Sequence, residues 1–213
     1  MPELILAIDV GTTSARAAVF APAGTIHGSA AAPLISSAPA PGLVEQDAEA
    51  VWMATRQVID AALAAAKRTA GDIAAIGVTT QRASALIWDR TSGAPLSPLV
   101  VWSDLRGTAR SRELAGAGFM LAPQQAAAKL EGMMAAVEAP PGRRAWGAID
   151  SYLIFRMTGG GAHVTDRSQA WPTGYLDLAY LGWNGRLIEH QGLETASFPR
   201  LVDTWGELGR ASR

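Results

Sequence analysis

Apolar residues crowd the first ten positions with one interruption. Leu4, Ile5, Leu6, Ala7, Ile8 and Val10 form a run of the length a buried strand needs, broken near its end by Asp9. Gly11, Thr12, Thr13 and Ser14 turn the chain, and Ala15, Ala17, Ala18, Val19 and Phe20 bring it back with Arg16 among them. The pattern predicts a β-hairpin. Ala23 and Gly24 mark another turn, after which residues 25–33 complete an antiparallel meander, and Pro39 and Pro41 make residues 36–42 a loop.

Beyond that loop the spacing becomes helical. Trp52, Thr55, Ile59, Leu63 and Ala66 fall along one face of a helix that Asp47 can cap and that runs to about residue 68. Residues 73–79, IAAIGVT, are a second buried-strand candidate, with Asp72 closing the turn before it. Shorter runs at 86–88 and 99–102 predict further strands. Residues 126–137 are helical, Pro140 and Pro141 mark a loop, and Asp150 can cap a helix that Gly159, Gly160 and Gly161 stop. Hairpin, third strand, helix, strand and then mostly helices make an α/β protein, a mixed sheet flanked by helices.

Composition narrows the class. At 213 residues, 49% hydrophobic and 17% charged, the chain can bury a real core, as one large domain or most of two. Net charge is −1 and the basic residues are scattered, so neither nucleic acid nor an acidic membrane surface is an expected partner. Cysteine is absent, which excludes disulfides and thiolate metal sites and suits a reducing compartment. No signal peptide and no membrane-spanning run is read, and a cytoplasmic location is the expectation.

Two clusters carry candidate chemistry. A carboxylate at the end of a buried strand is costly unless water, a cation or hydrogen bonds compensate it, and for Asp9 the natural candidate is a hydrated Mg²⁺. Gly11 permits close approach of an anion, while the hydroxyls of Thr12, Thr13 and Ser14 and the Arg16 guanidinium suit phosphate oxygens. The plainer alternative is a tight hairpin whose Asp and Thr residues cap the turn. In the second cluster, strand ends present Gln81, Arg82, Trp102 and Asp104. Arg and Asp can fork onto vicinal hydroxyls, Gln both donates and accepts, and Trp offers a flat wall to the C–H face of a sugar. Against this, Arg82 and Asp104 could form only a salt bridge, Trp102 could belong to the core, and His163, with no second histidine at metal spacing, is as readily a surface residue as a core one.

IDVGTTSARAAVF resembles the first phosphate motif of the superfamily of sugar kinases, heat-shock chaperones and actin, and in detail that of the FGGY carbohydrate kinases. Further blocks agree in order: VEQDAEAVW with the family's EQDPExxW, IGVTTQRA with IGxTxQRE, WSDLR with WxDxR, and AIDSYLIFRMTGGGAHVTDRSQA with DxWLIWKLTGxxxTDxSNA. Lys129 matches the lysine of KLxW, whose tryptophan falls on Gly132. The resemblance implies a ribonuclease-H-like, actin-like ATPase fold and a role as the first domain of a two-domain kinase, with residues 1–213 incomplete at their C-terminal end. It implies ATP and Mg²⁺ as cofactors, Asp9 at the metal, Gly11, Thr12, Thr13, Ser14 and Arg16 at the phosphates, and Gln81, Arg82, Trp102, Asp104 and Gln124 at the substrate. Asp166 is expected to fix loops under the sugar.

The family's general base, an aspartate in a GxGD segment, is expected beyond Arg213, so no catalytic residue is assigned and this chain alone is expected to be inactive. A sugar or polyol and ATP are the expected partners, and a homodimer is left open. Two positions depart from glycerol kinase: its polyol-binding glutamate is Ala83 here, and a substrate tyrosine falls on Gln124. Losing two buried hydrogen-bond partners argues for an acceptor other than glycerol, among polyols, pentoses and hexoses. The competing expectation is a non-catalytic sugar-binding or regulatory module derived from such a kinase.

Overall fold

The computed structural model describes residues 3–212. The chain divides into two compact units, residues through Ser36 with Glu49–Gln81, and Ser37–Ala48 with Arg82 onward. Among the described residues no helix is long and apolar enough to cross a membrane.

The first unit holds the predicted meander. Strands β1 (Leu4–Val10), β2 (Ser14–Phe20) and β3 (Ile26–Pro33) pair antiparallel in sequence order. Two short strands, β4 (Ser36–Ser37) and β5 (Glu45–Gln46), lead to helix α1 (Ala48–Ala65), and β6 (Ile73–Thr80) returns parallel to β1. The sheet order is β3-β2-β1-β6, the mixed sheet that the apolar runs predict. Register separates its faces: Leu6 opposite Val19, Ile8 opposite Ala17 and Val10 opposite Ala15 are all buried. Asp9 faces Arg16 from the other side, because successive side chains along a strand alternate.

Two expectations are corrected here. Helix α1 buries Val51, Trp52, Thr55, Val58 and Ala62, whereas Ile59, Leu63 and Ala66 are only partly buried. Close approach decides this: a Cβ on Gly28 of β3 would stand 2.3 Å from the Ala66 nitrogen and 2.7 Å from the Ala62 carbonyl oxygen. The contact selects small residues and turns larger ones aside. Strand β6 forms where expected but is not buried; Ala74, Ala75 and Gly77 are exposed, Ile76 is 40% exposed, and only Thr80 is buried. Among the described residues β6 is an edge strand, bonded to β1 alone. Asp72 closes its turn as expected, accepting the Thr69 N–H at 2.8 Å.

The second unit is richer in short elements. Strand β7 (Leu86–Asp89) precedes β8 (Leu99–Val100), which pairs with β5, and α2 (Thr108–Gly116) and α3 (Leu130–Ala135) follow. Strand β9 (Arg144–Gly147) pairs with β7, α4 (Ile149–Met157) follows it, and β10 (Val164–Asp166) leads into α5 (Arg167–Ala170). A hairpin of β11 (Leu176–Asp177) and β12 (Gly182–Trp183), helix α6 (Gly185–His190) and β13 (Arg200–Val202), parallel to β10, complete it. Its core gathers Ile87, Leu114, Leu130, Trp146, Tyr175 and Phe198. There Phe198 meets the Trp146 and Tyr175 rings edge-on at 4.9 and 5.0 Å.

The predicted helix over 126–137 is interrupted: a single 3₁₀ turn, Ala126–Ala128, precedes α3. Strand pairing at 99–102 stops at Val100, where the chain turns. Asp150 does not cap α4, whose N-cap is Ala148; it lies two residues on, in the first turn, buried, and accepts the Thr165 hydroxyl at 2.7 Å. Asp166 does fix a loop, capping α5 by accepting the Gln169 N–H at 2.7 Å. His163 is half-buried, its Nε2 2.9 Å from the Trp146 carbonyl oxygen and its ring edge-on to Trp88 at 5.1 Å; loss of solvent around the ring pushes its pKa down to about 4.

Candidate functional site

The polar turn of the first unit is built by strand register. Asp9 pairs across to Arg16 on β2 and to Thr79 on β6, so Arg16, Asp9 and Thr79 form one row on one face of the sheet, about 4.8 Å from strand to strand. Asp9 is half-buried and Arg16 and Thr79 are exposed. Among the described residues the Asp9 carboxylate makes no hydrogen bond or ion pair. No described residue compensates it, and it remains partly open to solvent.

The rest of the turn is partly committed to its own shape. Gly11 donates its N–H to the Ser14 carbonyl at 3.0 Å, so this amide closes the turn instead of facing outward. The Thr12 hydroxyl donates to Gln81 Oε1 at 3.3 Å, and the Gln81 N–H reaches the Val10 carbonyl at 2.8 Å. The Thr13 carbonyl accepts the Leu34 N–H at 2.9 Å, leaving the Thr13 side chain exposed and Ser14 half-exposed. Gln81, expected beside a sugar, is buried and braces this turn.

The donor set fits a hydrated magnesium and a phosphate chain. Mg²⁺ keeps most of its waters and meets protein through one or two carboxylates, which a single uncompensated Asp9 supplies. No group of three or more acidic, His or Cys side chains is placed to hold a metal among the described residues. Arg16, Thr13 and Ser14 add the cation and hydroxyls that phosphate oxygens take.

In the second unit the Trp102 turn is pinned from several sides. Ser84, fully buried, accepts the Trp102 N–H at 3.0 Å. Arg82 is exposed, and Ala83 between them takes the left-handed conformation at φ +60°, a strained backbone of the kind found at ligand sites. Trp102 is 46% exposed, which sets aside a core role. Gln124 is exposed on the loop before the 3₁₀ turn. That loop lies against the end of the Trp102 turn: a Cβ on Gly107 would stand 2.8 Å from both the Pro123 carbonyl oxygen and the Ala128 Cβ.

Asp104 stands apart from these three. It is wholly buried, and its carboxylate accepts the Val44 N–H at 2.7 Å, the Arg106 N–H at 2.9 Å, and Arg106 Nε and Nη2 at 2.8 Å each. Its ion-pair partner is thus Arg106, not Arg82, and Arg106 reaches on to Glu45 at 2.6 Å. Burial pushes the Asp104 pKa up, and the hydrogen bonds from Arg106 and Val44 outweigh it, leaving the carboxyl below its usual range. With every oxygen occupied and no exposed surface, Asp104 shapes the turn and does not present itself to a ligand.

Sequence reasoning assigned no role to Thr79, Ser84 or Lys129. Lys129 is buried at 3% exposure and donates Nζ to the Val101 carbonyl at 3.1 Å; burial lowers its pKa to about 8, against the pull of Asp104. For Lys129 the available signals were its match to the KLxW block and its place as a lone lysine in the apolar stretch AAAKLEGMM.

Comparison with known proteins agrees on one family. Residues 4–212 match the N-terminal domain of the FGGY family of carbohydrate kinases. A glycerol kinase of Dechloromonas aromatica is 38% identical over 221 residues, covering 97% of this chain and 44% of the relative; one of Trichlorobacter lovleyi is 38% identical over 215 residues, covering 94% and 43%. The chain therefore spans less than half the length of the curated relatives it matches. Among solved structures, Plasmodium falciparum glycerol kinase with ADP superposes with a TM-score of 0.88 at 22% identity, covering 99% of this chain and 45% of that one. Xylulose kinase of Rhodospirillum rubrum gives 0.84 at 24% identity, covering 99% and 45%; at these identities both speak to the fold, the actin-like one of the sugar kinases. By its sequence match and its sheet, this chain belongs to the FGGY family of carbohydrate kinases, whose N-terminal domain it represents.

Proposed function

We propose that the chain is the first domain of an ATP-dependent carbohydrate kinase, a cytoplasmic enzyme that transfers the γ-phosphoryl group of MgATP to a hydroxyl of a polyol, pentose or hexose. Phosphoryl transfer relies mainly on positioning and on stabilising charge, with a base to take the hydroxyl proton. Asp9 would orient a hydrated Mg²⁺ through its waters, and Thr13, Ser14 and Arg16 would hold phosphate oxygens, with Gly11, Thr12 and Gln81 keeping the turn in shape. Arg82, Trp102 and Gln124 would meet the acceptor, Arg82 by forked hydrogen bonds and Trp102 by stacking on C–H groups. Asp104 acts through Arg106 on the shape of the Trp102 turn. MgATP supplies the transferred group and the charge that these residues complement. The base and the adenosine site are assigned to a second domain.

The observation that carries this reading is the uncompensated, half-buried Asp9 in one row with Arg16 and Thr79. A module that only sensed sugar would have no use for that row. Relatives named glycerol kinase favour a polyol acceptor, while Ala83 and Gln124 remove a carboxylate and a phenol and argue against glycerol itself. The test is release of ADP by the full-length kinase from MgATP with a panel of polyols, pentoses and hexoses. Turnover with one class, and little with glycerol, is expected. No turnover together with sugar binding by this chain would establish the non-catalytic module instead.

A further inference from the structure

An ammonium group is costly to bury, and Lys129 is buried beneath the Trp102 turn with one hydrogen bond among the described residues. Its acceptor, the Val101 carbonyl, also takes the Asp104 N–H at 3.0 Å, so the two bonds occupy the two lone pairs of the oxygen that immediately precedes Trp102. The Trp102 N–H is held by Ser84, and the far end of the turn by Asp104 with Arg106 and Val44. Lys129 therefore grips the turn from the α3 side. A methionine or leucine would fill the same space without the desolvation cost, so stability alone gives no reason for a lysine.

We infer that Lys129 is a positioning residue: by holding the Val101 carbonyl it sets the orientation in which Trp102 is offered to the acceptor. The structural link between Lys129 and Trp102 rests on the geometry; its consequence for catalysis rests on the reading of Trp102 as a sugar wall. The charged groups near Lys129 are the Asp104 carboxylate, which favours its charged form, and Arg106, which opposes it and is itself paired to Glu45. Glu131, two residues along α3, is turned to Arg110 at 2.8 Å. With burial bringing the Lys129 pKa to about 8, the grip weakens as pH rises through that value, because a neutral amine is a poorer donor than an ammonium.

The test is nuclear magnetic resonance of the 213-residue chain, following the Trp102 indole and backbone N–H signals, identified with Trp102→Phe. In the wild type both are expected to move with a midpoint near pH 8; in Lys129→Met they are expected to lie elsewhere at pH 7 and to stay flat from pH 7 to 9. Lys129→Arg, charged throughout, is expected to keep them near their wild-type positions at pH 7. Trp102 signals unmoved by both pH and Lys129→Met overturn the inference; if the methionine variant fails to fold, the wild-type titration and the arginine variant decide. In the full-length kinase Lys129→Met is expected to raise the acceptor KM roughly 10–100-fold, as misplacement of a binding group does, with the KM for ATP unchanged. Should Trp102 follow Lys129 while no sugar or polyol perturbs Trp102, the link stands and the sugar assignment falls.

Discussion

Asp9 and Asp104 are the same residue in similar sequence settings, each at or just past the end of an apolar strand and each beside an arginine that could pair with it. Their surroundings are opposite. Asp9 is half-buried, and among the described residues its carboxylate has no partner. Asp104 has no exposed surface and four donors on its two oxygens. Register makes the difference for the first, since Arg16 stands directly opposite on the neighbouring strand, where side chains share a face but need not touch. A two-residue offset makes it for the second, since Arg106 folds back onto Asp104 within one turn. What separates an open carboxylate from a structural one is how many of its lone pairs the protein already occupies.

The largest effect is expected at Asp104. Asp104→Ala removes one side of a buried ion pair and leaves the Val44 N–H, Arg106 and the nearby Lys129 without their acceptor or counter-charge, which should lower unfolding free energy by about 3–5 kcal/mol in urea titration. A variant of full stability that failed only in sugar binding would reverse the comparison and make Asp104 a substrate ligand. Asp9→Asn should do the opposite. Its folding midpoint is expected to stay close to that of the wild type, while the full-length kinase loses about 10²–10³-fold in kcat, the range seen when one stabilising group is removed from a charged transition state. Unaltered turnover in a folded Asp9→Asn enzyme would remove the metal from this position.

The first unit was largely legible because alternation and turn chemistry act locally: residues 4–33 give the hairpin and meander almost to the residue. What escaped was set by distant contacts. Gly28 gives no hint in sequence that α1 crosses it closely enough to exchange Ile59 and Leu63 for Val58 and Ala62 in the buried stripe. The apolar character of IAAIGVT does not say what covers it, and β6 proves exposed among the described residues. At the second cluster Arg82, Trp102 and Gln124 are exposed, whereas Asp104 and Gln81 are buried. That difference in burial was not legible, because it depends on hydrogen bonds to backbone groups at Val44 and Val10, which no spacing rule supplies.

Asp150 is the case between the two extremes. It is buried, its Oδ2 accepts the Thr165 hydroxyl, and its Oδ1 has no partner. Burial, with Asp166 nearby adding repulsion, outweighs that bond and the pull of the Ser151 and Asp150 backbone N–H groups, and raises its pKa to about 6 from an ordinary 3.8. The folded chain thus holds this proton more tightly than the unfolded chain between pH 3.8 and 6, and stability from this group falls as pH rises through that window. Above pH 6 the cost of a buried charge is present in full. Asp150→Asn cannot ionise, so its stability relative to the wild type should improve by about 1–3 kcal/mol between pH 4 and pH 7. Comparing the two pH values cancels whatever the amide gains or loses in packing. A constant difference would mean that a donor reaches Oδ1 and that Asp150 belongs with Asp104.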